Sequence, residues 1–362
     1  MIDGWSVIVQ KSEIHAGDLV VFCEIDSLMP DKPWFEFLKN GKGLRIRTMK
    51  MANVISQGIC FPLTLFENYG DMIYNEDGSV YGAKLNGKNT ELTEGLDVTE
   101  ELGIVKWERQ DACDEPYVPD RPPTKKYPKL LMRFKWFRNW IYKTGKHREA
   151  KGFPDFVSKT DETRIQNAPF YLDMNTKWLL SEKVDGQSGT FAMVRHKPKW
   201  LWQRTRYEYI VCSRNLRLWQ KDNKSYWAVS DKYHIEDTLR KLIDKYDCDW
   251  IALQGECIAP NVQGNKYKVT EPDLYLFNFI TSDNGRIGSL TGKMIIEEYG
   301  MKWVPIVSVD VDLPKTVDEM LALAHGQSMI GDTIREGLVC RTLDGKQSFK
   351  AVDPIFLMKY DE

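Results

Sequence analysis

Ser181-Glu182-Lys183-Val184-Asp185-Gly186-Gln187-Ser188-Gly189 sets a lysine at the end of an apolar run and follows it with an acid and a glycine. The run before it, Trp178 to Glu182, and the run after it, Gly189 to Val194, are rich in residues that favour strands. The segment therefore predicts a lysine at a strand end and a tight connection into a second strand. Two readings of the K-x-D-G core stay open at this point. One is a surface lysine ahead of an Asp-Gly hairpin turn. The other is a lysine nucleophile, activated by desolvation or by nearby positive charge.

Downstream, strand-like runs continue at Tyr209 to Cys212, Trp250 to Leu253, Leu274 to Ile280 and Gly337 to Arg341. Lys232 to Asp247 reads as a helix, with Leu239, Leu242, Ile243 and Tyr246 on one face. Upstream, Trp5 to Val9, Leu19 to Glu24, Leu44 to Met49 and Gly58 to Phe61 read as short strands separated by Gly and Asp, the pattern of a small barrel. Asp111 to Pro123 is linker-like, and Lys125 to Lys151 carries ten Lys or Arg against the single acid Glu149, interleaved with aromatics. That stretch predicts a basic amphipathic helix that binds nucleic-acid phosphates, or equally one whose aromatics pack on a neighbouring domain. The expected organisation is thus residues 1–110, a linker and basic helix over 111–152, and an α/β unit over 153–362.

Composition bounds the function class. The 362 residues are 42% hydrophobic and 28% charged, enough for two ordinary cores. No apolar run approaches the length of a membrane span and the amino terminus is not a signal peptide, so a cytoplasmic protein is expected. The seven cysteines are scattered and never in C-x-x-C spacing, which fits reduced thiols better than disulfides or zinc. A net charge of −2 gives no global signal for nucleic acid.

Beyond the lysine come Ser213-Arg214-Asn215, Gln254-Gly255-Glu256, Leu274-Tyr275-Leu276-Phe277-Asn278-Phe279, Arg335-Glu336-Gly337-Leu338-Val339 and Ser348-Phe349-Lys350. In this order and at these separations they resemble the motif series of the covalent nucleotidyltransferase superfamily of ligases and capping enzymes. The likeness is strongest to ATP-dependent RNA ligases whose OB domain lies at the amino terminus. Gly17-Asp18-Leu19-Val20, Glu24-Ile25-Asp26-Ser27, Leu44-Arg45-Ile46-Arg47-Thr48-Met49-Lys50, Ser56-Gln57-Gly58 and Thr160 to Asn167 belong to it as well. DNA ligases and capping guanylyltransferases usually carry their OB domain after the transferase domain, which argues against both. A catalytically dead RNA-binding homologue is a further alternative, opposed by the intact lysine and acids.

The resemblance implies an α+β protein. An N-terminal OB-fold-like barrel, opening at what looks like its second strand, precedes an ATP-grasp-like nucleotidyltransferase domain of antiparallel sheets flanked by helices. It implies RNA as substrate, with 3′-hydroxyl and 5′-phosphate ends at a nicked duplex, a monomeric enzyme, and ATP with Mg²⁺ or Mn²⁺ as cofactors. Lys183 would carry AMP; Asp185 and Glu336 would hold the water shell of the metal, with Asn278 standing where an acid is common. Glu256 would accept from the ribose, Phe277 would stack on adenine, and Lys350, fourteen residues past Glu336, would contact the α-phosphate. Glu182 and Gly186 flank the nucleotide, and Arg164 and Arg214 would meet its phosphates or RNA ends. The last motif often reads K-x-K, but Val352 stands at the second position, so either Lys346 or Lys359 supplies that charge or the charge is dispensable.

Overall fold

The computed structural model describes residues 2, 4–39, 43–51, 53–107, 152–198, 200, 202–218 and 224–360. The basic stretch from Lys125 to Lys151 lies outside them.

The C-terminal unit consists of two antiparallel sheets joined by the lysine segment. A four-stranded sheet has the order Ile306–Val311, Trp178–Lys183, Gly337–Thr342, Ser348–Val352. A larger sheet runs Arg217–Leu218, Arg206–Cys212, Gln187–His196, Trp250–Ile258, Asp273–Thr281, Gly285–Arg286, and Lys302–Trp303 adds to it in parallel with Asp273–Thr281. All six strands anticipated in this unit form, most of them longer than the apolar runs that announced them. Polar strand ends such as Gln187, Ser188 and Arg206 pair through backbone groups that sequence patterning does not register.

Helices cover one face of the larger sheet. Leu239, Leu242 and Ile243 of the Ile235–Lys245 helix are fully buried against Phe191, Ile251, Leu253 and Phe279. This helix starts three residues later than the periodicity suggests. His234 adopts a left-handed backbone (φ 49°, ψ 43°) and separates it from the preceding helix, Lys224–Lys232. A second core packs the Val317–Ala324 helix on the smaller sheet, around Trp178, Leu180, Met320, Leu338 and Phe349. That helix is closed at its start by a reciprocal capping box between Thr316 and Glu319.

The N-terminal unit is a set of short sheets around Val21, Phe35, Phe66, Leu85 and Leu102: Val20–Glu24 with Gly58–Pro62, Ser27–Leu28 with Val105–Lys106, Met49–Met51 with Val54–Ser56, and a three-stranded meander over Met72–Tyr74, Val80–Leu85 and Lys88–Glu91. Trp5 to Val9 is not a strand. Its aromatic character has another cause: Trp5 is 2% exposed and its indole N–H donates to Asn167 Oδ1 at 2.7 Å, across to the C-terminal unit. Leu44 to Met49 likewise forms only an isolated bridge, Arg45 to Leu28, before pairing begins at Met49.

Candidate active site

Lys183 ends the central strand of the smaller sheet, opposite Gly337, and four residues later Gln187 begins the larger sheet, opposite Cys257. The connection between the sheets is therefore the place where both contribute side chains. Because Lys183 pairs with Gly337, the preceding residue, Glu336, arrives beside it, and Lys183 Nζ donates to Glu336 Oε2 at 2.6 Å.

Gly186 is not the positive-φ glycine of a hairpin turn. A Cβ there would lie 2.4 Å from the Cys257 carbonyl oxygen and 3.0 Å from Glu256 Cγ. The glycine lets the connection pass against the Trp250–Ile258 strand, where its N–H donates to Glu256 Oε1 at 3.2 Å. The segment after that strand clamps the same connection. Asp185 N–H donates to Tyr267 Oη at 2.9 Å, Gln263 Nε2 donates to the Gly186 carbonyl at 3.2 Å, and Lys266 forms an ion pair with the Asp185 carboxylate.

These groups line one cavity of about 1130 Å³, bounded by both units. Lys183, Asp185, Gly186, Glu182, Glu256, Phe277, Glu336, Lys350, Arg164 and Arg214 all reach it. Asn278 does not. It sits behind the wall, 3% exposed, donating to Gln254 Oε1 at 2.8 Å, with its own Oδ1 buried and unpaired. Phe277 reaches the cavity because the register shifts between Gln254 and Gly255: Asn278 pairs Gln254 and Leu276 pairs Gly255, so Phe277 is the extra residue of a bulge. The Arg341 guanidinium lies 5.8 Å from its ring centre.

Electrostatics tie the cluster together. Burial pushes the Glu256 carboxyl up to about 8, against the pull of Lys183 and of the Ser188 hydroxyl that donates to it at 3.0 Å. Burial also raises Asp185, helped by Glu336 and opposed by Lys266. Lys350 is pushed down to about 8 by burial and then by the charges of Lys183 and Arg164. Lys183 goes the other way: burial works to lower it, but Glu336, Glu256 and Asp185 together leave it above its ordinary value.

The remaining expected residues are already engaged. The Glu182 carboxylate, 1% exposed, accepts from Ser328 Oγ at 2.5 Å and from Met329 N–H at 2.8 Å. Arg214 donates to both oxygens of Asp161, at 2.9 and 3.1 Å. Arg164 donates to Asp26 Oδ2 at 3.0 Å, while Arg45 holds Asp26 Oδ1 at 2.6 Å, so one carboxylate joins the two units. Lys350 takes its position through the backbone, its N–H donating to the Thr163 carbonyl at 2.8 Å.

Neither Lys346 nor Lys359 lines the cavity; Lys266 does, and no motif drew attention to it. It is 11% exposed in its side chain, with its ammonium 5.0 Å from the Phe356 ring centre and 5.2 Å from that of Tyr360. The only sequence signal was a lysine in a short Gly-Asn-Lys-Tyr turn after an invading strand, which is not specific.

A family model described as an OB-fold domain matches residues 1–63, and one described as RNA ligase matches residues 176–360. No curated protein sequence matches the chain. Among solved structures, RNA ligase of Naegleria gruberi with pyrophosphate is similar at 26% identity and a TM-score of 0.71, covering 99% of this chain and 91% of that one. A point mutant of the same ligase with ATP and manganese is similar at 28% identity and a TM-score of 0.71, over 99% and 92%. The fold is thus an N-terminal OB domain followed by a ligase domain of antiparallel sheets. With the second family model spanning more than half of the 362 residues, the chain belongs to the RNA ligase family.

Proposed function

We propose that this protein is an ATP-dependent RNA ligase that joins 3′-hydroxyl and 5′-phosphate ends through AMP carried on Lys183. The observation that carries the reading is the setting of Lys183: a half-buried amine lining the cavity, with Glu336 at 2.6 Å, Glu256 and Asp185 close by, and Lys350 near enough to lose part of its own basicity to the lysine's charge. ATP and manganese accompany the Naegleria ligase, and the same pair suits this cavity.

The neutral amine of Lys183 attacks the α-phosphorus of ATP; an N–P bond forms, the bond to the β-phosphate oxygen breaks, and pyrophosphate leaves. The 5′-phosphate of an RNA end then displaces the lysine, giving an RNA capped by AMP through a pyrophosphate bond. Finally a 3′-hydroxyl attacks that 5′-phosphate, loses its proton, and AMP leaves. Lys350 faces the α-phosphate and balances charge there. Glu256 has two oxygens held by the Gly186 N–H and the Ser188 hydroxyl, and suits a ribose hydroxyl as donor. Phe277, carried out by its bulge, offers a face for adenine. Arg164 and Arg214 meet phosphates of nucleotide or RNA by exchanging Asp26 and Asp161 for them.

Asp185 and Glu336 are hard oxygen acceptors, which suits the water shell of Mg²⁺ or Mn²⁺. Among the described residues no three acids gather closely enough to grip an ion directly, so contact through water is the arrangement that fits. Such an ion supplies positive charge at the reacting phosphate. It also offsets the two carboxylates that hold Lys183 protonated, which favours the neutral amine. Asn278 lies too deep behind Phe277 to share in this without movement.

A nick in duplex RNA, repair as the task, a monomeric state and a reducing cytoplasm complete the reading. Six free cysteines among the described residues suit that compartment, and no described helix is long and apolar enough to cross a membrane. Incubation with α-labelled ATP and Mn²⁺, beside α-labelled GTP and Lys183→Ala, tests it. An adduct that survives denaturation, needs Lys183 and is absent with GTP is expected; no adduct from nucleotide-free folded protein would overturn the reading.

A further inference from the structure

At the far end of the larger sheet, away from the cavity, the hairpin joining Gln187–His196 to Arg206–Cys212 ends in an aromatic and basic tip. Trp200 and Trp202 are 61% and 78% exposed. Their rings stack on each other, 5.6 Å between centres and 8° from parallel. Each therefore shields one face of the other and leaves its outer face to solvent. The other described tryptophans are buried or half-buried, so two stacked ones turned outward stand apart.

The surroundings point to one kind of occupant. Lys197, Arg204 and Arg206 are exposed beside the pair, with His196 at the strand end. Acids are present but engaged: Asp249 with Lys197 at 2.8 Å, Asp247 with Arg195 at 2.8 Å, and Glu208 with Arg217 at 2.8 Å and His196 at 3.2 Å. Among the described residues, Arg204 and Arg206 pair with no acid. Exposed guanidinium groups on the same hairpin as open indole faces match a ligand that carries both phosphates and bases. Paired bases inside a duplex present no face to a side chain, so the match is to unpaired nucleotides.

The position gives the contact a role. Gln187, on the cavity, and His196 are the two ends of one ten-residue strand; at about 3.4 Å per residue the tip lies on the order of 30 Å from the reacting ends. A contact there engages RNA flanking the junction rather than the ends themselves.

We infer that the Trp200–Trp202 tip is a second RNA-binding surface that stacks unpaired bases of the flanking strand, with Arg204 and Arg206 on their phosphates. This rests on the reading of the chain as an RNA-joining enzyme. It adds a substrate preference: a junction with a single-stranded extension on the side of this hairpin binds better than the same junction in a blunt duplex.

The test compares nicked RNA duplexes with and without a single-stranded extension of about ten nucleotides on either side, as fluorescent ligands of the full-length protein across a salt series. The unaltered protein is expected to bind one extended substrate roughly tenfold more tightly than the blunt one, since base–aromatic stacking is worth about 1–3 kcal/mol per base. The double change Trp200→Ala and Trp202→Ala should erase that preference, and Trp200→Tyr with Trp202→Tyr should keep most of it. Arg204→Glu with Arg206→Glu should reduce the salt slope by about one and a half. Adenylylation of Lys183, measured without RNA, stays unchanged in these variants; if it is absent from the unaltered protein, the ligase mechanism fails rather than the tip. Equal affinity for extended and blunt substrates, or a preference that survives the alanine pair, overturns the inference, and a tip that holds another protein instead would give that result.

Discussion

Lys183 Nζ lies 2.6 Å from Glu336 Oε2, and the two residues reach each other because Lys183 and Gly337 are partners in adjacent strands. The lysine and the acid beside it are thus fixed by backbone pairing rather than by loop conformation. Gly337 is part of this: a Cβ there would lie 2.2 Å from the Ala351 carbonyl oxygen of the next strand. In the resting protein the acids outweigh burial and keep Lys183 an ammonium.

Removing one acid should therefore move the pH dependence of the first chemical step. Glu336→Gln lowers the pKa of Lys183, so the rising limb of single-turnover adenylylation shifts toward lower pH. On the proposed role of this acid toward a metal's water shell, the plateau rate should drop by about 10- to 100-fold. A pH–rate profile from 6 to about 10 would check this; a limb that stays in place would mean Glu336 does not set the state of Lys183.

Glu256 carries a linked stability effect. Its folded pKa is raised to about 8 from an ordinary 4.5, so the folded state keeps the proton through a window in which the unfolded chain has lost it. Stability from this group is complete below 4.5 and is lost as pH rises toward about 8. Glu256→Gln should flatten that decline, gaining about 1–3 kcal/mol relative to the unaltered protein at pH 8 while weakening ATP binding. Melting curves of both proteins between pH 5 and about 8.5 give the comparison, and parallel curves would contradict it.

The Lys266–Asp185 pair, with side chains 11% and 13% exposed, is deep enough for partner loss to matter. Lys266→Ala leaves Asp185 uncompensated and should cost about 2–4 kcal/mol of stability. Adenylylation should slow by at least about tenfold, because the same lysine holds the acid in position. Lys266→Met together with Asp185→Asn should recover most of the stability and none of the activity. If the double variant is as unstable as the single one, the pair is not what holds this segment.

Gly186→Ala places a methyl group against the Cys257 carbonyl oxygen, which as backbone cannot step aside. Displacing the connection by a few tenths of an ångström moves both Lys183 and Asp185. A loss on the order of 100-fold in adenylylation is expected, with about 1–3 kcal/mol of stability. Single-turnover kinetics would separate this from a weaker hold on ATP, which would appear in KM alone.

Much of the C-terminal unit was legible because its strands are apolar runs bounded by turns, and because its polar residues follow a motif order that resembles a known family. Lys183, Glu256, Glu336 and Lys350 could be ordered along the chain before any contact was known, and the fold brings them to one cavity. Less legible were features that exist only between distant segments. Lys266 has no pattern of its own; it matters because a loop folds back on Asp185. Trp5 read as a strand residue, since an aromatic that seals a domain contact looks like one that fills a sheet. Asn278 was placed near the metal by family likeness alone, and the register shift that turns Phe277 into the cavity and leaves Asn278 behind its wall has no signature in the sequence.

That break has an effect on what changes the strand can survive. Leu274 and Leu276 face the helix-covered core before the bulge, and Phe279 faces it after, so the inward positions switch from even to odd numbers across Phe277. A substitution at Phe277 alters one side chain. Deleting that residue would remove the register shift between Gln254 and Gly255, yet leave the cavity without the ring proposed to face adenine. In this segment the enzyme depends on chain length as much as on residue identity, and a better-formed sheet would make a poorer ligase.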